Sequence, residues 1–327
     1  MPERKNLKVG LVGLGMMGRN HARVLSNLPG VDFVGAYDEA GDPHNAVSKD
    51  MLCLSIDELL YHSLDYCVVA VPTIYHEKVA LRAIEMLSNV LIEKPIAHSI
   101  ESALRIKESL ENNKLVGAVG QIERCNPALI EAKKMIKNGD IGKVYQIFTR
   151  RQGYFPSRIA DVGVVKDLGT HDIDLTAWLV DASYEKVTAH TAHYSGKEHE
   201  DLVTIIGQLS NGTVATHVID WLSSYKIRKT TVVGEKGCLV ADTINATLTF
   251  YENGSYDENG FNGTSQGEVI SCSVDRREPL IVEHENFRDY ILNISQNVAT
   301  VASGIETLRV AEAVLQSAKD GRSVSLI

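Results

Sequence analysis

The chain has 327 residues, enough for about two domains at roughly 150 residues each. Its 33 basic and 42 acidic residues give a formal net charge of −9, which argues against a protein that holds nucleic acid by neutralising phosphates. Hydrophobic residues make up 44% and charged residues 23%, values typical of a globular protein that exclude a long disordered chain.

The cysteines and the apolar segments bear on where the protein works. Its 5 cysteines show no metal-type spacing and are typical of reduced cytosolic thiols. The amino terminus lacks the small-residue cleavage site of a secretory signal, and no segment approaches about 18 apolar residues. We therefore expect a cytoplasmic protein that binds neither a membrane nor nucleic acid.

The amino-terminal part, residues 7–125, alternates short apolar segments with helical patterns. The apolar segments are rich in Val, Leu and Ala, as strands buried on both faces are. They are LKVGLVG, VDFVGAY, YCVVAV, NVLIEKP and LVGAVG. Helices are predicted between them at 76–87 and 99–113, the second capped by Ser99. This order predicts a Rossmann fold, a doubly wound parallel sheet.

The pattern then changes. Much of 144–274 alternates with period two, and Asn211-Gly212 favours a hairpin turn within it. Helical spacing occurs at 128–138, 171–180 and 282–318. We therefore predict a Rossmann domain over 1–124 and, over 125–327, an α+β domain with a large, mainly antiparallel sheet for substrate binding and oligomerisation. Whether the carboxyl-terminal helix packs back on the first domain is left open.

The segment Gly13-Leu14-Gly15-Met16-Met17-Gly18 follows the first strand and opens a helix expected to begin near Arg19. In this pattern the first glycine permits a tight turn, the second lets the backbone approach a pyrophosphate, and the third lets the helix pack on the strand. Asp38 ends the second strand about 20 residues after Gly18, where an acid that binds the ribose is expected. The combination predicts a dinucleotide site.

The acidic residues near this motif favour NAD over NADP. The carboxylate of Asp38 can accept hydrogen bonds from both ribose hydroxyls but would repel a 2′-phosphate, and Glu39 and Asp42 add negative charge. Val71-Pro72-Thr73 and Glu93-Lys94-Pro95 each follow a strand. The carboxyl ends of a parallel sheet should therefore bring them beside the nicotinamide half.

Three side chains are candidates for acid–base chemistry. Lys94 can direct its ammonium into the crevice, and Asp167 precedes His171 by four residues, which on a helix puts both on one face. The carboxylate can orient the ring, which accepts a proton near neutral pH. The simpler alternatives are a surface lysine, a helix cap and a satisfied polar residue. A zinc site at His171, Asp172 and Asp174 is disfavoured, because no cysteine pair or His-x-x-x-His accompanies them, and we expect no metal.

Four motifs resemble those of the Gfo/Idh/MocA oxidoreductases over nearly the whole chain. They are GLGMMGRNH, AVPTIYHEKVALRAIE, LIEKPIA and VVKDLGTHDIDLTAWL. The resemblance implies that Lys94, Asp167 and His171 form the catalytic group. The residues expected to bind the cofactor are Gly13, Gly15, Met16, Met17, Gly18, Asp38, Val71, Pro72, Thr73, His76, Glu93, Lys94 and Gln121.

Three further segments are similar to the nucleotide-sugar 3-dehydrogenases of that family, which act on UDP-N-acetylglucosamine and related sugars. They are GQIERCNPA, RRQGYFPSRIADVG and WLSSYKIRKTTVVGEKG. They bring polar and cationic side chains to an otherwise acidic chain, and arginines suit bidentate phosphate contacts. The residues expected to bind substrate are Arg124, Asn126, Arg151, Tyr154, Arg158, Lys166 and His171, with Lys226 and Arg228 adding charge. Solvated strand ends are the simpler alternative for each.

The sequence thus predicts an NAD-dependent dehydrogenase that removes hydride from a sugar carbinol, with C3 of a UDP-linked N-acetylamino sugar as first choice. A free polyol or sugar such as myo-inositol is the alternative, and a non-catalytic NAD(H)-binding regulatory protein is the second. His171 would accept the hydroxyl proton while Asp167 orients the ring, and Lys94 would hydrogen-bond the oxygen. Since one face of the antiparallel sheet can lack helices over it, we also expect a homotetramer or homodimer.

Overall fold

The computed structural model describes residues 6–156, 162–254 and 266–326. They form two compact units, the first reaching to Ile122 and adding Glu278–Leu308, the second made of Glu123–Arg277 and the chain from Arg309. The sequence predicts the second domain as 125–327 and leaves open whether the carboxyl-terminal helix packs on the first. The structure assigns Glu278–Leu308, which includes the start of that helix, to the first unit. Apolar side chains of this segment, such as Phe287 and Leu308, are buried in the cores of the first unit.

Strands and helices are numbered in chain order. The strands are β1 Leu7–Val12, β2 Val31–Tyr37, β3 Tyr66–Val69, β4 Asn89–Glu93, β5 Gly117–Gly120, β6 Val144–Gln152, β7 Tyr184–Ala192, β8 Leu202–Leu209, β9 Val214–Asp220, β10 Ile227–Gly234, β11 Gly237–Asp242, β12 Thr247–Asn253, β13 Gln266–Cys272 and β14 Val324–Ser325. The helices are α1 Met16–Leu25, α2 Ile56–Leu60, α3 His76–Glu85, α4 Ile100–Asn113, α5 Pro127–Asn138, α6 Thr170–Val180, α7 Pro279–Ile291 and α8 Val301–Asp320.

Within the described part of the first unit, five parallel strands form one sheet in the order β2-β1-β3-β4-β5. This confirms the predicted Rossmann fold. Strand order runs outward in both directions from β1 and β3, so the loops after these neighbours diverge, which is where such sheets bind ligands. Helix α1 begins at Met16, earlier than the predicted Arg19, because the Arg19 N–H already donates to the Gly15 carbonyl, 3.0 Å away.

In the second unit, nine of the described strands form one sheet, ordered β13-β12-β11-β10-β6-β9-β8-β7-β14. Neighbours are antiparallel except β6 and β9, which are parallel. The sheet confirms the prediction of a large, mainly antiparallel one. Asn211 and Gly212 turn the chain between β8 and β9 as expected, and Gly212 adopts a φ of +83°.

Helices cover one face of this second sheet. Leu129 and Leu175, on α5 and α6, share a core with Ile147 and Leu239 of the sheet, and the part of α8 from Val310 packs on β7 to β9. Alternate residues of each strand therefore face this core. Among the described residues, no helix combines the length and hydrophobicity needed to cross a membrane.

Candidate dinucleotide and catalytic sites

The glycine-rich loop joins β1 to α1. Gly13 has a φ of +102°, which disfavours any other residue, and its N–H donates to the Tyr37 carbonyl at the end of β2, 2.8 Å away. Gly18 lies against the Gly13 carbonyl so closely that a Cβ at Gly18 would overlap it. The first and third glycines therefore do what the sequence pattern required of them.

The amino terminus of α1 suits an anion. Gly15 occupies the cap position and has no side chain to accept from the first-turn N–H groups, and no acidic residue lies in that turn. Met16 follows and is 46% exposed. Uncapped N–H groups and the positive end of the helix dipole are what a pyrophosphate requires. This end of α1 therefore fits the phosphates of a dinucleotide.

Asp38 lies at the end of β2, facing the glycine-rich loop. Its Oδ2 accepts the Leu14 N–H at 2.6 Å, and its Oδ1 accepts the Ala40 N–H at 2.8 Å. The carboxylate is half-buried and keeps lone pairs beyond these two bonds. It therefore orders the loop as well as placing negative charge where a ribose is expected.

The segment after β3 is tied to the segment after β4 by His76. The ring nitrogens of His76 lie 2.9 Å from the carbonyl oxygens of Val71 and Pro95. The side chain is buried, and burial lowers the pKa of His76. His76 is therefore a brace between two loops, while Thr73 is buried beside it and Pro72 is exposed.

Glu93, Lys94 and Gln121 stand at the carboxyl ends of β4 and β5. Glu93 is buried, Lys94 is half-buried, and the Lys94–Pro95 peptide bond is cis. Gln121 is 3% exposed, and its Oε1 accepts no hydrogen bond from any described residue. A buried amide oxygen without a donor is costly, so Gln121 fits an acceptor for a bound group.

Asp167 and His171 lie where a π-helical turn, Val165–Gly169, runs into α6. Glu200 fixes the entry to this turn, because its Oε1 accepts the Val165 N–H at 3.0 Å. His171 is buried and Asp167 half-buried. Single π-turns inside helices are frequent at functional sites. The sequence predicted a helix entry here but gave no sign of the wider turn.

The predicted substrate arginines are engaged by carboxylates. Arg151 donates to both oxygens of Asp172, at 3.0 and 3.1 Å, and to Glu123 at 2.7 Å, with its side chain only 6% exposed. Arg124 donates to both oxygens of Asp174, at 2.7 and 2.6 Å. Burial acts against the charge of Arg151, but the two carboxylates outweigh it and raise its pKa.

That Arg124 and Arg151 bind substrate stays a prediction, and the structure adds that each is already paired with carboxylates. These ion pairs also engage Asp172 and Asp174, two of the three side chains that were considered as zinc ligands. Within the described residues, no group of three or more His, Cys, Asp or Glu side chains is arranged to hold a metal ion.

The remaining predicted substrate residues differ in their exposure and in their partners. Asn126 is buried and caps α5, accepting the Ala128 N–H at 3.1 Å and donating to the Thr243 carbonyl at 3.1 Å. Tyr154 is 61% exposed, and Lys166 lies 3.7 Å from Glu312. Lys226 is exposed, Arg228 donates to the carbonyls of Gln152 and Ile227 at 2.7 Å each, and Arg158 lies outside the described residues. The structure thus gives Asn126 a helix-capping role that sequence reasoning had not assigned.

Two family models match the chain. The one described as "Oxidoreductase family, NAD-binding Rossmann fold" covers residues 7–121, and the one described as "Oxidoreductase family, C-terminal alpha/beta domain" covers residues 133–326. Both carry the family designation Gfo/Idh/MocA. The second match alone spans more than half of the chain.

Individual relatives match over most of their length. A UDP-N-acetylglucosamine 3-dehydrogenase from Acidithiobacillus ferrooxidans is 27% identical over 95% of this chain and 96% of its own. Inositol 2-dehydrogenase 2 from Saccharopolyspora erythraea is 28% identical over 75% of this chain and 76% of its own. The crystal form P21 of the Acidithiobacillus enzyme GnnA superimposes with a TM-score of 0.83 at 25% identity, over 96% of this chain and 98% of that one.

Proposed function

The chain belongs to the Gfo/Idh/MocA oxidoreductase family, and from that premise we propose that it oxidises C3 of a UDP-linked N-acetylamino sugar with NAD. The observation that carries the substrate class is the relative that acts on UDP-N-acetylglucosamine, similar over 95% of this chain. The match of residues 7–121 to the NAD-binding Rossmann model of this family shows an NAD-binding oxidoreductase. What we propose beyond this is the identity of the sugar and the preference for NAD over NADP.

The residues that would hold the cofactor fit its chemistry. The uncapped end of α1 would bind the pyrophosphate, Asp38 the ribose hydroxyls, and the buried Gln121 oxygen a donor group. When bound, NAD supplies the ring that accepts the hydride. Asp38 disfavours a 2′-phosphate by charge, which supports NAD.

The proposed acid–base roles belong to three side chains. His171 would take the proton of the sugar hydroxyl on a ring nitrogen, and the carboxylate of Asp167 would hold that ring in orientation. Lys94 would donate a hydrogen bond to the same oxygen as negative charge develops on it. These roles are proposed from the family motifs that contain the three residues.

The free polyol remains the second candidate, and two observations favour it. One relative is named an inositol 2-dehydrogenase. In addition, Arg124 and Arg151 are paired with buried carboxylates, which weakens the phosphate argument for a nucleotide sugar. A nucleotide sugar would then depend on other cations, such as the exposed Lys226.

A substrate panel tests the proposal. With NAD present, thermal shift and NADH formation are measured for UDP-N-acetylglucosamine, UDP-N-acetylgalactosamine, myo-inositol and scyllo-inositol. We expect a UDP-sugar to raise the melting temperature and to be oxidised with a kcat/KM at least about tenfold above either inositol. Turnover of an inositol with no UDP-sugar binding would reverse the order. NAD binding without any single-turnover NADH would favour the regulatory role.

Substitution of the proposed catalytic residues gives the first prediction. Lys94→Ala and His171→Ala should each lower kcat by roughly two or more orders of magnitude and leave the NAD dissociation constant nearly unchanged, because general acid–base catalysis contributes that much. Exposed residues provide matched controls, Lys78→Ala and His190→Ala, which should keep kcat within about twofold. Wild-type turnover in both site variants would remove the assignments.

A further inference from the structure

A chain of three buried side chains connects α7 to the carboxyl end of β4 inside the first unit. The Nε2 atom of His284 lies 2.8 Å from Nδ1 of His21, and Nε2 of His21 lies 2.9 Å from Oε1 of Glu93. The other oxygen of Glu93 accepts the backbone N–H of Lys94 at 3.2 Å. All three side chains are at least nine-tenths buried. This series of hydrogen bonds therefore ends at the backbone N–H of Lys94.

The carboxylate of Glu93 sets the direction of the bonds that it accepts. Burial opposes ionisation of Glu93, but the hydrogen bond from His21 and the charge of Lys94 outweigh it and lower the pKa of Glu93. An ionised Glu93 accepts only, so Nε2 of His21 carries a proton. Burial, reinforced by His21, lowers the pKa of His284 well below its usual range. The 2.8 Å contact between Nε2 of His284 and Nδ1 of His21 then holds one proton between the two rings.

A second buried acid, Glu283, interacts with Glu93 through their charges. Glu283 is buried on α7, and neither of its carboxyl oxygens has a hydrogen-bond partner among the described residues. Burial and the negative charge of Glu93 raise the pKa of Glu283 well above its usual range. Burial and the charge of Glu93 thus favour the protonated form of Glu283, while the hydrogen bond from His21 and the charge of Lys94 favour the ionised form of Glu93.

Lys94 is held from its other side as well. The Pro95 carbonyl, one residue on, lies 2.9 Å from Nδ1 of His76, and Nε2 of the same ring lies 2.9 Å from the Val71 carbonyl. Glu93 therefore fixes the N–H side of Lys94 and His76 fixes the carbonyl of the next residue. A side chain mounted on a backbone held at both ends has fewer orientations to lose on binding.

We propose that His21 and Glu93 are positioning residues for Lys94, an inference that rests on the proposed function because it assigns Lys94 a role in turnover. Both ring nitrogens of His21 are engaged, and the series of contacts runs from α7 through α1 to the backbone of Lys94. His21 does not touch the reacting atoms. It acts by holding the carboxylate that holds Lys94.

A matched pair of substitutions at His21 tests the bond from Nε2 to Glu93, because one variant keeps a donor at that place and the other does not. The amide nitrogen of His21→Gln reaches the place of Nε2 and can still donate to Glu93, whereas the side chain of His21→Asn ends near Nδ1 and cannot. We expect His21→Asn to lower kcat by about ten- to a hundredfold with KM for NAD within about threefold, because small displacements of a catalytic group cost that much. His21→Gln should retain kcat within about threefold.

A second readout does not depend on turnover. Hydrogen exchange at the Lys94 amide, followed by NMR on the full chain, should quicken at least about tenfold in His21→Asn and stay near the wild-type rate in His21→Gln. Equal kcat in the two variants together with unchanged exchange would overturn the inference. Equal losses of kcat, NAD binding and melting temperature in both would assign His21 a purely structural role and overturn it too.

The failure of the proposed function is distinguishable from the failure of this inference. A wild-type protein that oxidises no sugar alcohol contradicts the function, while the exchange difference between the two variants still decides whether His21 holds Lys94. Should neither His21 variant fold, Glu93→Gln decides, because its amide cannot accept from both His21 and the Lys94 N–H. It should lower kcat and quicken Lys94 exchange as His21→Asn does, and wild-type values of both would overturn the inference.

Discussion

Asp38 serves two purposes with one carboxylate. One oxygen accepts the Leu14 N–H of the glycine-rich loop, and the other accepts the Ala40 N–H of the following turn. Hydrogen bonds from backbone N–H groups to a charged acceptor are stronger than those between neutral groups. The acid is therefore part of the loop's own structure before any ribose hydroxyl reaches it.

Asp38→Asn tests the proposed preference for NAD. The amide removes the charge that repels a 2′-phosphate, so the ratio of the dissociation constants for NADP and NAD should fall by about tenfold or more. It also offers one acceptor oxygen in place of two, so NAD itself should bind more weakly. Isothermal titration with both cofactors checks this, and Glu108→Gln, which removes the charge of an exposed acid on α4, is the control. An unchanged ratio in Asp38→Asn would contradict the assignment.

At the residue scale, features that depend on short-range spacing were predicted correctly, whereas pairs of residues far apart in the sequence were not predicted. The glycine-rich loop and Asp38 follow from short-range spacing, and the structure reproduces the turn at Gly13. Arg151 and Asp172 are 21 residues apart, and their pairing depends on how β6 packs against α6. Nothing in the order of residues indicates that the arginine is already paired with two carboxylates.

At the scale of elements, β6, β7 and β9 are linked by a buried polar ladder. Nδ1 of His217 lies 2.7 Å from the Thr149 hydroxyl, and Nε2 lies 2.8 Å from the Tyr184 hydroxyl. Burial, with the positive charge of Arg151, lowers the pKa of His217 from its ordinary 6.5 to about 3. Period-two alternation predicted the strands, but a histidine inside the core facing two hydroxyls leaves no distinct pattern.

Because of this ladder, we expect the second unit to lose stability toward unfolding at acidic pH. Below an ordinary pKa of 6.5 the unfolded chain protonates His217, whereas the folded chain leaves it neutral down to about 3. Unfolding free energy should therefore fall as pH drops through that window, by up to about 1.4 kcal/mol per pH unit for this residue. Urea unfolding at about pH 7 and about pH 5 should show a loss about 2 kcal/mol smaller in His217→Gln than in wild type.

The control for this measurement is His190→Gln, since His190 lies on β7 and is exposed. Histidines buried elsewhere, such as His76 and His284, contribute equally to every variant and cancel in the comparison. If His217→Gln lost as much stability on acidification as the wild type, the ring would be charged in the folded protein, and the ladder would need another protonation pattern.

At the scale of the whole molecule, sequence patterns predicted both kinds of sheet but not which segments complete each unit. Helix α7 and the start of α8 lie far along the chain, yet their apolar residues, such as Leu280 and Ile305, complete the cores of the first unit. Helical spacing shows that such segments bury one face. It does not say against which sheet, because any apolar surface of suitable shape satisfies the same pattern.

The second sheet leads to a prediction about assembly. Ile206 is 54% and Val214 is 40% exposed, although Ile205 and Ala215, their neighbours along the strands, are fully buried against the helices. Alternation therefore places apolar side chains of β8 and β9 on the face opposite the helical core. Such patches on a sheet face are typical of association surfaces, and we expect a dimer or tetramer in which this face packs against another copy.

Light scattering at micromolar concentration should therefore give more than one chain mass for the wild type and a lower mass for Ile206→Glu, because burying an unpaired carboxylate at an interface costs several kcal/mol. Leu54→Glu is the matched control, since Leu54 is 90% exposed and lies outside both sheets. It should leave the mass unchanged. A monomeric wild type would reject the assembly, and an oligomer that survives Ile206→Glu would move the interface to another part of the surface.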